Sequence, residues 1–311
     1  QITGGGEVEN IPVEGTIDLG GSLQQLTLNA NLQGGKVNLM ATTQLSPFEN
    51  SLNKIIGNLH IKGKGINPVD FLPSAPQADL EFDAFIIPTD AQANLALEGA
   101  IDLANHAAAP ADKKGIPVRS IVGDFTINQA GILQLAPTDV QLLKKGIISL
   151  QGDTDTANKN LNIDAQLKNI TLDDLIQQSF ADALNGSIQL RGNYTEPKAL
   201  WALNSQRVKS QGEVQLTTDT QKGQQTILLN KASFTPQNGG EMNLAGKLEL
   251  FNKQQLQLNL TSKNFNPNKI YPDFPTGDVN GEIKLNGELT DLVLNGKMNF
   301  APSTLSGVTL R

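Results

Sequence analysis

The chain has 311 residues, no cysteine, 38% hydrophobic residues and a formal charge of −7 at pH 7. That length can hold a sizeable core in one to three domains, while the acidic balance argues against nucleic acid, whose phosphates call for a basic face. Without cysteine there is no disulfide framework, thiolate nucleophile or cysteine-based zinc site, which is compatible with an envelope location. No signal peptide is evident, and no apolar run reaches the roughly 18 residues of a membrane span. Glycine is frequent (29) and aromatic residues few (11 Phe, 2 Tyr, 1 Trp), the composition of many short strands and turns.

From Gly15 onward the pattern predicts strand after strand: Ile17 and Leu19, then Leu26, Leu28 and Leu32, then Val37, Leu39 and Ala41, with turns at Gly20-Gly21 and Gly34-Gly35. Leu45-Ser46-Pro47-Phe48-Glu49 has the form of a capped helix start, with Ser46 as N-cap and Glu49 three residues on. Alternation resumes at Leu59 and Ile61 and continues through Leu80, Phe82, Leu95, Leu97, Ile101, Leu103, Phe125, Ile127, Leu133, Leu135, Ile148, Leu150, Leu161 and Ile163. It runs on through Ile188, Leu190, Leu216, Ile227 and Leu229 to its clearest stretch, Glu241 to Thr261. There Met242, Leu244, Leu248, Leu250, Leu256, Leu258 and Leu260 alternate with polar residues, broken by a turn at Phe251-Asn252-Lys253. A period of two gives a strand one wet face and one apolar face.

A Leu/Ile-x-Gly step recurs along these strands and places Gly63, Gly99, Gly152, Gly192, Gly246, Gly287 and Gly296 on the apolar face. Such glycines remove bulk and permit sharp coiling, as in a trough with free room along its floor; a bulge in an ordinary sandwich is the alternative. A second signal repeats on a longer period. Ile66-Asn67-Pro68-Val69-Asp70-Phe71, Ile170-Thr171-Leu172-Asp173-Asp174-Leu175 and Phe265-Asn266-Pro267-Asn268-Lys269-Ile270 each read as a capped short helix with a hydrophobic staple. Their starts at 66, 170 and 265 lie 104 and 95 residues apart. The chain therefore reads as one continuous repetitive segment over 1–311, without a linker between independent domains.

Candidate chemistry is sparse. His60 and His106 are too few for a catalytic centre, and His60 falls on the wet face of a strand. Asp153-Thr154-Asp155 with Asn158 and Asn160 resembles part of a calcium loop, but lacks its glycine and distant glutamate, so a solvated hairpin turn is expected. Asp173-Asp174 is read as helix capping rather than a carboxylate pair for acid–base work. Gly4-Gly5-Gly6 and Gly63-Lys64-Gly65 lack the following helix that would cradle a phosphate. No catalytic residue, metal site or cofactor is therefore assigned, and an enzyme is not expected. The remaining candidate is the apolar stripe. Such a face normally fills a sandwich or barrel; here the apolar faces are long and many and the covering helices few, which would leave a single sheet open. Its expected lining is Leu28, Leu39, Ile61, Phe82, Leu97, Ile127, Leu135, Leu150, Ile163, Leu190, Leu216, Leu229, Leu244, Leu248, Leu258, Leu285 and Leu294.

The Leu-x-Gly steps, the short Asn-Pro and Thr-Leu-Asp-Asp helices, and segments such as Ile188-Gln189-Leu190-Arg191-Gly192-Asn193-Tyr194-Thr195-Glu196-Pro197 and Gly287-Glu288-Leu289-Thr290-Asp291-Leu292 resemble the AsmA-like family of Gram-negative envelopes, its TamB branch most closely. The resemblance covers essentially the whole chain. It implies an all-β fold, an elongated, curled, antiparallel-rich sheet (a β-taco with an apolar groove) carrying a few short helices. It further implies a periplasmic location, an inner-membrane anchor in the full-length protein, and a TamA-like outer-membrane partner bound through regions outside this segment. The implied function is an internal section of a phospholipid conduit between the two membranes, the groove sheltering acyl chains. Two other readings stand beside it: a scaffold for outer-membrane protein (autotransporter) assembly that pairs client strands at sheet edges, and a structural β-solenoid with a filled core.

Overall fold

The computed structural model describes residues 1–311 except 9–10, 90–95, 178–181, 220–222, 251–253, 271–273, 275, 301–302, 306–307 and 311; the turn expected at Phe251-Asn252-Lys253 lies outside them. The protein is all-β, built of antiparallel strands with a few short helical turns. It divides into two compact units, one of residues 1–158 and 168–181, the other of residues 159–167 and 182–311.

The first unit is an up-and-down meander of β1 (Ile2–Val8), β2 (Ile11–Ser22), β3 (Gln25–Gly34), β4 (Val37–Leu45), β5 (Leu59–Ile66), β6 (Leu80–Thr89), β7 (Ala96–Asn105), β8 (Val118–Ile127), β9 (Ile132–Leu142) and β10 (Ile147–Asp155). Each strand pairs antiparallel with the next. Chain order can equal spatial order because the connections are local hairpins. Gly34 pairs with Val37, for instance, and the turn between them opens on Gly35 at φ 58°, the left-handed conformation that two-residue hairpin turns require.

The second unit takes most of β11 (Asn160–Ile170) and then β12 (Leu184–Asn193), β13 (Glu196–Asn204), β14 (Val208–Asp219), β15 (Gln224–Pro236), β16 (Glu241–Glu249), β17 (Gln255–Phe265), β18 (Val279–Glu288) and β19 (Asp291–Phe300). From β12 to β19 it is again a meander of antiparallel neighbours. A small separate hairpin, β20 (Ser303–Leu305) with β21 (Val308–Leu310), follows.

The three stapled helices shrink to single 3₁₀ turns, Pro68–Asp70, Leu172–Asp174 and Pro267–Lys269. Their spacing nevertheless marks a real module. Each is preceded by a left-handed residue, Gly65 (φ 68°), Asn169 (φ 60°) or Asn264 (φ 48°), then by the apolar residue Ile66, Ile170 or Phe265. The register slips there, between Gly63 and Ile66 on β5 and between Ser262 and Phe265 on β17, so the strand ends in a bulge that turns the chain out of the sheet. Ile170 and Phe265 are buried and Ile66 half-buried, whereas the expected staple partners differ in exposure: Leu175 (of Ile170) and Phe71 (of Ile66) remain exposed and Ile270 (of Phe265) is half-buried. The helix start expected at Ser46 is not formed. Residues 46–51 make turns, and one short helix, α1 (Leu52–Ile55), begins where Lys54 and Ile55 N–H groups bond the Ser51 carbonyl.

Candidate functional site

Residues directly opposite on antiparallel strands share a face, so the register can be followed from strand to strand. In the first unit one line runs Gly4, Gly15, Leu32, Leu39, Gly63, Phe82, Leu103, Ile121, Val140, Ile148 across ten strands, every member apolar or glycine. A parallel line runs Ile2, Ile17, Ala30, Ala41, Ile61, Ala84, Ile101, Gly123. A third runs Leu59, Ile86, Gly99, Phe125, Leu135, Gly152, and on the same face Leu28 pairs with Leu19, Leu97 with Ile127, and Leu150 with Thr138.

The second unit repeats the arrangement. Leu190, Ala199, Val214, Leu229, Gly246, Leu258, Leu285 and Leu294 oppose one another in succession, as do Ile188, Trp201, Gly212, Ala232, Leu244, Leu260, Ile283 and Gly296. A third line joins Leu216, Ile227, Leu248, Leu256, Gly287 and Leu292, and Gly192 lies two residues from Leu190 on the same side. Ile163 joins them because its neighbour Asp164 faces the other way, held by the Arg191 guanidinium at 2.5 Å. Within each unit, therefore, the sequence-expected lining residues fall on one face of the sheet.

The reverse face is polar, with exceptions such as Met40, Phe85, Val122 and Val293. Both histidines of the chain sit there: His60 Nε2 lies 2.5 Å from Asp83 and His106 Nε2 2.9 Å from Glu81. Lys62 Nζ is 2.8 Å from the other Asp83 oxygen; its hydrogen bond, the largest effect, together with that of His60 outweighs the opposing push of burial and holds the Asp83 carboxyl below its ordinary value.

The apolar face is not filled. Among the described residues the buried apolar side chains are Ala78, Val140, Leu142, Ile170, Ala232, Pro236 and Phe265. Leu294 is 62% exposed, Ile2 63% and Leu19 51%, whereas the inner faces of a sandwich interlock and shut out water. At the β1–β5 end of the first unit the face hollows into a concavity of about 620 Å³, lined by Ile2, Val13, Ile17, Leu32, Leu39 and Ile61. Gly4 contributes to that room, because a Cβ placed on it would meet nothing within 4 Å.

Not all floor glycines leave such space. A Cβ on Gly63 would run into the ring of Phe82 opposite it, with Leu39 Cδ2 at 2.8 Å, and a Cβ on Gly99 into the ring of Phe125 opposite. Gly212, which does not stand in a Leu/Ile-x-Gly step, is covered in the same way by Trp201. Alternation alone carried no signal for it, because Trp201 is brought opposite Gly212 by the register of β13 against β14. At Gly246 and Gly296 the obstacle is the neighbouring backbone instead: the Gln257 carbonyl with Leu258 Cα at 2.9 Å, and the Glu282 carbonyl with Ile283 Cα at 2.9 Å.

The remaining polar candidates have structural work. Asp174 is fully buried and is the N3 residue of a capping box with Thr171. It accepts hydrogen bonds from Thr171 N–H (2.9 Å) and Oγ1 (2.7 Å), and from the N–H groups of Lys144 (2.7 Å), Lys145 (3.1 Å) and Gly146 (3.1 Å). Burial pushes its pKa up, but these donors together outweigh burial and leave it lowered. Asp155 accepts from the backbone of Ala157 and Asn158, both at 3.0 Å, and from the Asn158 side chain at 2.7 Å, forming the expected turn after β10.

No protein-family model matches the chain, and neither a curated protein nor a solved structure does. Among the described residues no helix is long and apolar enough to cross a membrane.

Proposed function

We propose that this chain is a section of a periplasmic phospholipid conduit in which acyl chains lie along the apolar face and headgroups stay in water. The observation that carries the proposal is the set of cross-strand apolar lines, which continue through β1 to β10 and through β12 to β19 on a face whose side chains are mostly half-buried, and exposed at the terminal strands. Ten strands about 4.8 Å apart give a line of roughly 40 Å in the first unit, longer than the roughly 15 Å of one bilayer leaflet's hydrocarbon. Each acyl methylene removed from water contributes about 0.8 kcal/mol, so a chain is held without any polar constellation. Because successive apolar positions are chemically alike, no one of them traps it, which is what passage along a surface requires. The likeness to the AsmA-like family points the same way and supplies the periplasmic setting and the TamA-like outer-membrane partner.

Trp201 allows a direct test, being the single tryptophan of the chain and lying on the apolar face. Phospholipids brominated along the acyl chain should quench its fluorescence, and Leu258→Glu should abolish the quenching and lipid traffic while leaving the circular dichroism of a folded sheet. An absence of quenching together with no lipid in organic extracts of the purified protein refutes the conduit. Normal lipid traffic in a folded Leu258→Glu protein does so as well.

A further inference from the structure

The bulkiest side chains of the apolar face are its aromatic rings, and three of them oppose a glycine: Phe82 opposite Gly63, Phe125 opposite Gly99, Trp201 opposite Gly212. In each pair the ring atoms occupy the space where the glycine's Cβ would stand. The ring is thus folded down onto the partner strand instead of standing away from the sheet, and the apolar surface stays low at the positions where its side chains are largest. Glycine in a strand interior weakens it relative to alanine, and a ring laid over the glycine restores contact and shields its backbone. None of the three glycines takes a left-handed φ, so backbone conformation does not demand glycine there.

We infer that these glycine–aromatic pairs set the headroom of the groove, so that the glycine of each pair determines whether an acyl chain can pass over the ring. The inference rests on the conduit reading and adds to it the residues that control clearance. Gly63 is the cleanest case, because the three atoms nearest to where its Cβ would stand all belong to side chains, two to the Phe82 ring and one to Leu39. A methyl group there leaves the backbone alone and forces the ring up into the path. Gly99 and Gly212 are less clean, since the carbonyls of Phe85 (3.0 Å) and Lys231 (2.7 Å) also stand close.

The test uses the whole protein equilibrated with dioleoyl phosphatidylglycerol vesicles containing a phosphatidylcholine that carries a diazirine on one acyl chain. Photocrosslinks are mapped by mass spectrometry to the strands around Phe82. Gly63→Ala should fold with an unchanged melting temperature to within a few degrees, and should cut crosslinking on β4 to β7 about tenfold, the loss expected when one or two methylenes can no longer seat. Gly63→Ala combined with Phe82→Leu, which removes the lifted ring, should restore it. Wild-type crosslinking that persists undiminished in a folded Gly63→Ala protein overturns the inference while leaving the conduit standing. Failure of the double variant to recover overturns it too, because the loss would then not pass through the ring. A wild-type protein that captures no lipid removes the conduit reading and this inference with it.

Discussion

The two units spell their strands alike, yet the Leu-x-Gly steps at Gly63 and Gly99 of the first unit and at Gly246 and Gly296 of the second have different physical causes, while Gly152 of the first unit stands at a left-handed φ of 142°. In the first unit Gly63 and Gly99 are glycine because a phenyl ring from the next strand occupies the Cβ site. In the second, Gly246 and Gly296 are glycine because the next strand's own backbone comes too near, and Gly281 and Gly287 add left-handed φ values of 145° and 135° with a carbonyl equally close. Side-chain cover is soft, since a ring can swing about χ1. Backbone cover is hard, because moving it breaks the ladder that defines the register. Glycine on an apolar strand face therefore marks close approach by something, and only the identity of that something decides whether the position tunes a surface or holds the sheet together.

The sharpest way to break this comparison is to add one methyl group in each unit. Gly246→Ala should destabilise the second unit by about 2–4 kcal/mol, as expected when a substitution forces backbone to shift. Denaturant unfolding followed by Trp201 fluorescence would report it, while amide exchange on β5 and β6 stays as in the wild type. Gly63→Ala should change stability by no more than about 1 kcal/mol in either direction. Equal losses at the two sites would erase the distinction between ring cover and backbone cover.

Asp174 probes a feature that belongs to the first unit alone. Its carboxylate ties the 3₁₀ turn Leu172–Asp174 to the N–H groups of residues 144–146, so Asp174→Ala strands several buried donors. A loss of about 2–3 kcal/mol is expected, read as faster amide exchange in β9 and β10 with Trp201 unfolding unaffected. The sign of its pH dependence follows from its lowered pKa in the folded state. The carboxylate contributes its full stabilisation above the unfolded value of about 3.9 and loses it as pH falls from there toward the folded value. The difference between wild type and Asp174→Asn should accordingly shrink below about pH 4, and a constant difference down to pH 2 would contradict the assignment.

Period-two alternation made the faces legible: every expected lining residue from Leu28 to Leu294 lies on the apolar side of its unit, because one polar–apolar step per residue leaves a strand no other way to divide its side chains. Residues of capping type located the modules at 66, 170 and 265 for a similar reason, as Asn67, Thr171 and Asn266 are local signals, although the Asn67 side chain caps no N–H of its turn and accepts instead from Ala78 N–H. The length of those helices was not legible. Each begins just after a left-handed residue that ends its strand, with a register slip at the first and third, and forms a single 3₁₀ turn. Ser46-Pro47-Phe48-Glu49 misled because its spacing fits a capping box while the helix of this connection starts only at Leu52, on bonds to the Ser51 carbonyl. What covers each glycine depends on cross-strand register, a non-local quantity, so Phe82, Phe125 and Trp201 could not be told from ordinary lining residues by alternation alone.

The smallest expected effect lies on the polar face and separates the roles of the two sides. Asp83 bridges β6 to β5 through Lys62 and His60, but it is about half exposed, and such pairs contribute no more than a few tenths of a kcal/mol. Its lowered pKa means that this small contribution is present at neutral pH and disappears as acid protonates the carboxylate below about pH 4. Asp83→Asn should therefore leave the melting temperature at pH 7 within about two degrees of wild type, and it should leave acyl crosslinking at Phe82 unchanged although the two residues are adjacent in sequence. The alternation places their side chains on opposite sides of one strand, one in water and one on the apolar floor. If Asp83→Asn lowered lipid capture as much as Gly63→Ala, the two faces would be acting together and the apolar side could not be treated as the whole of the site.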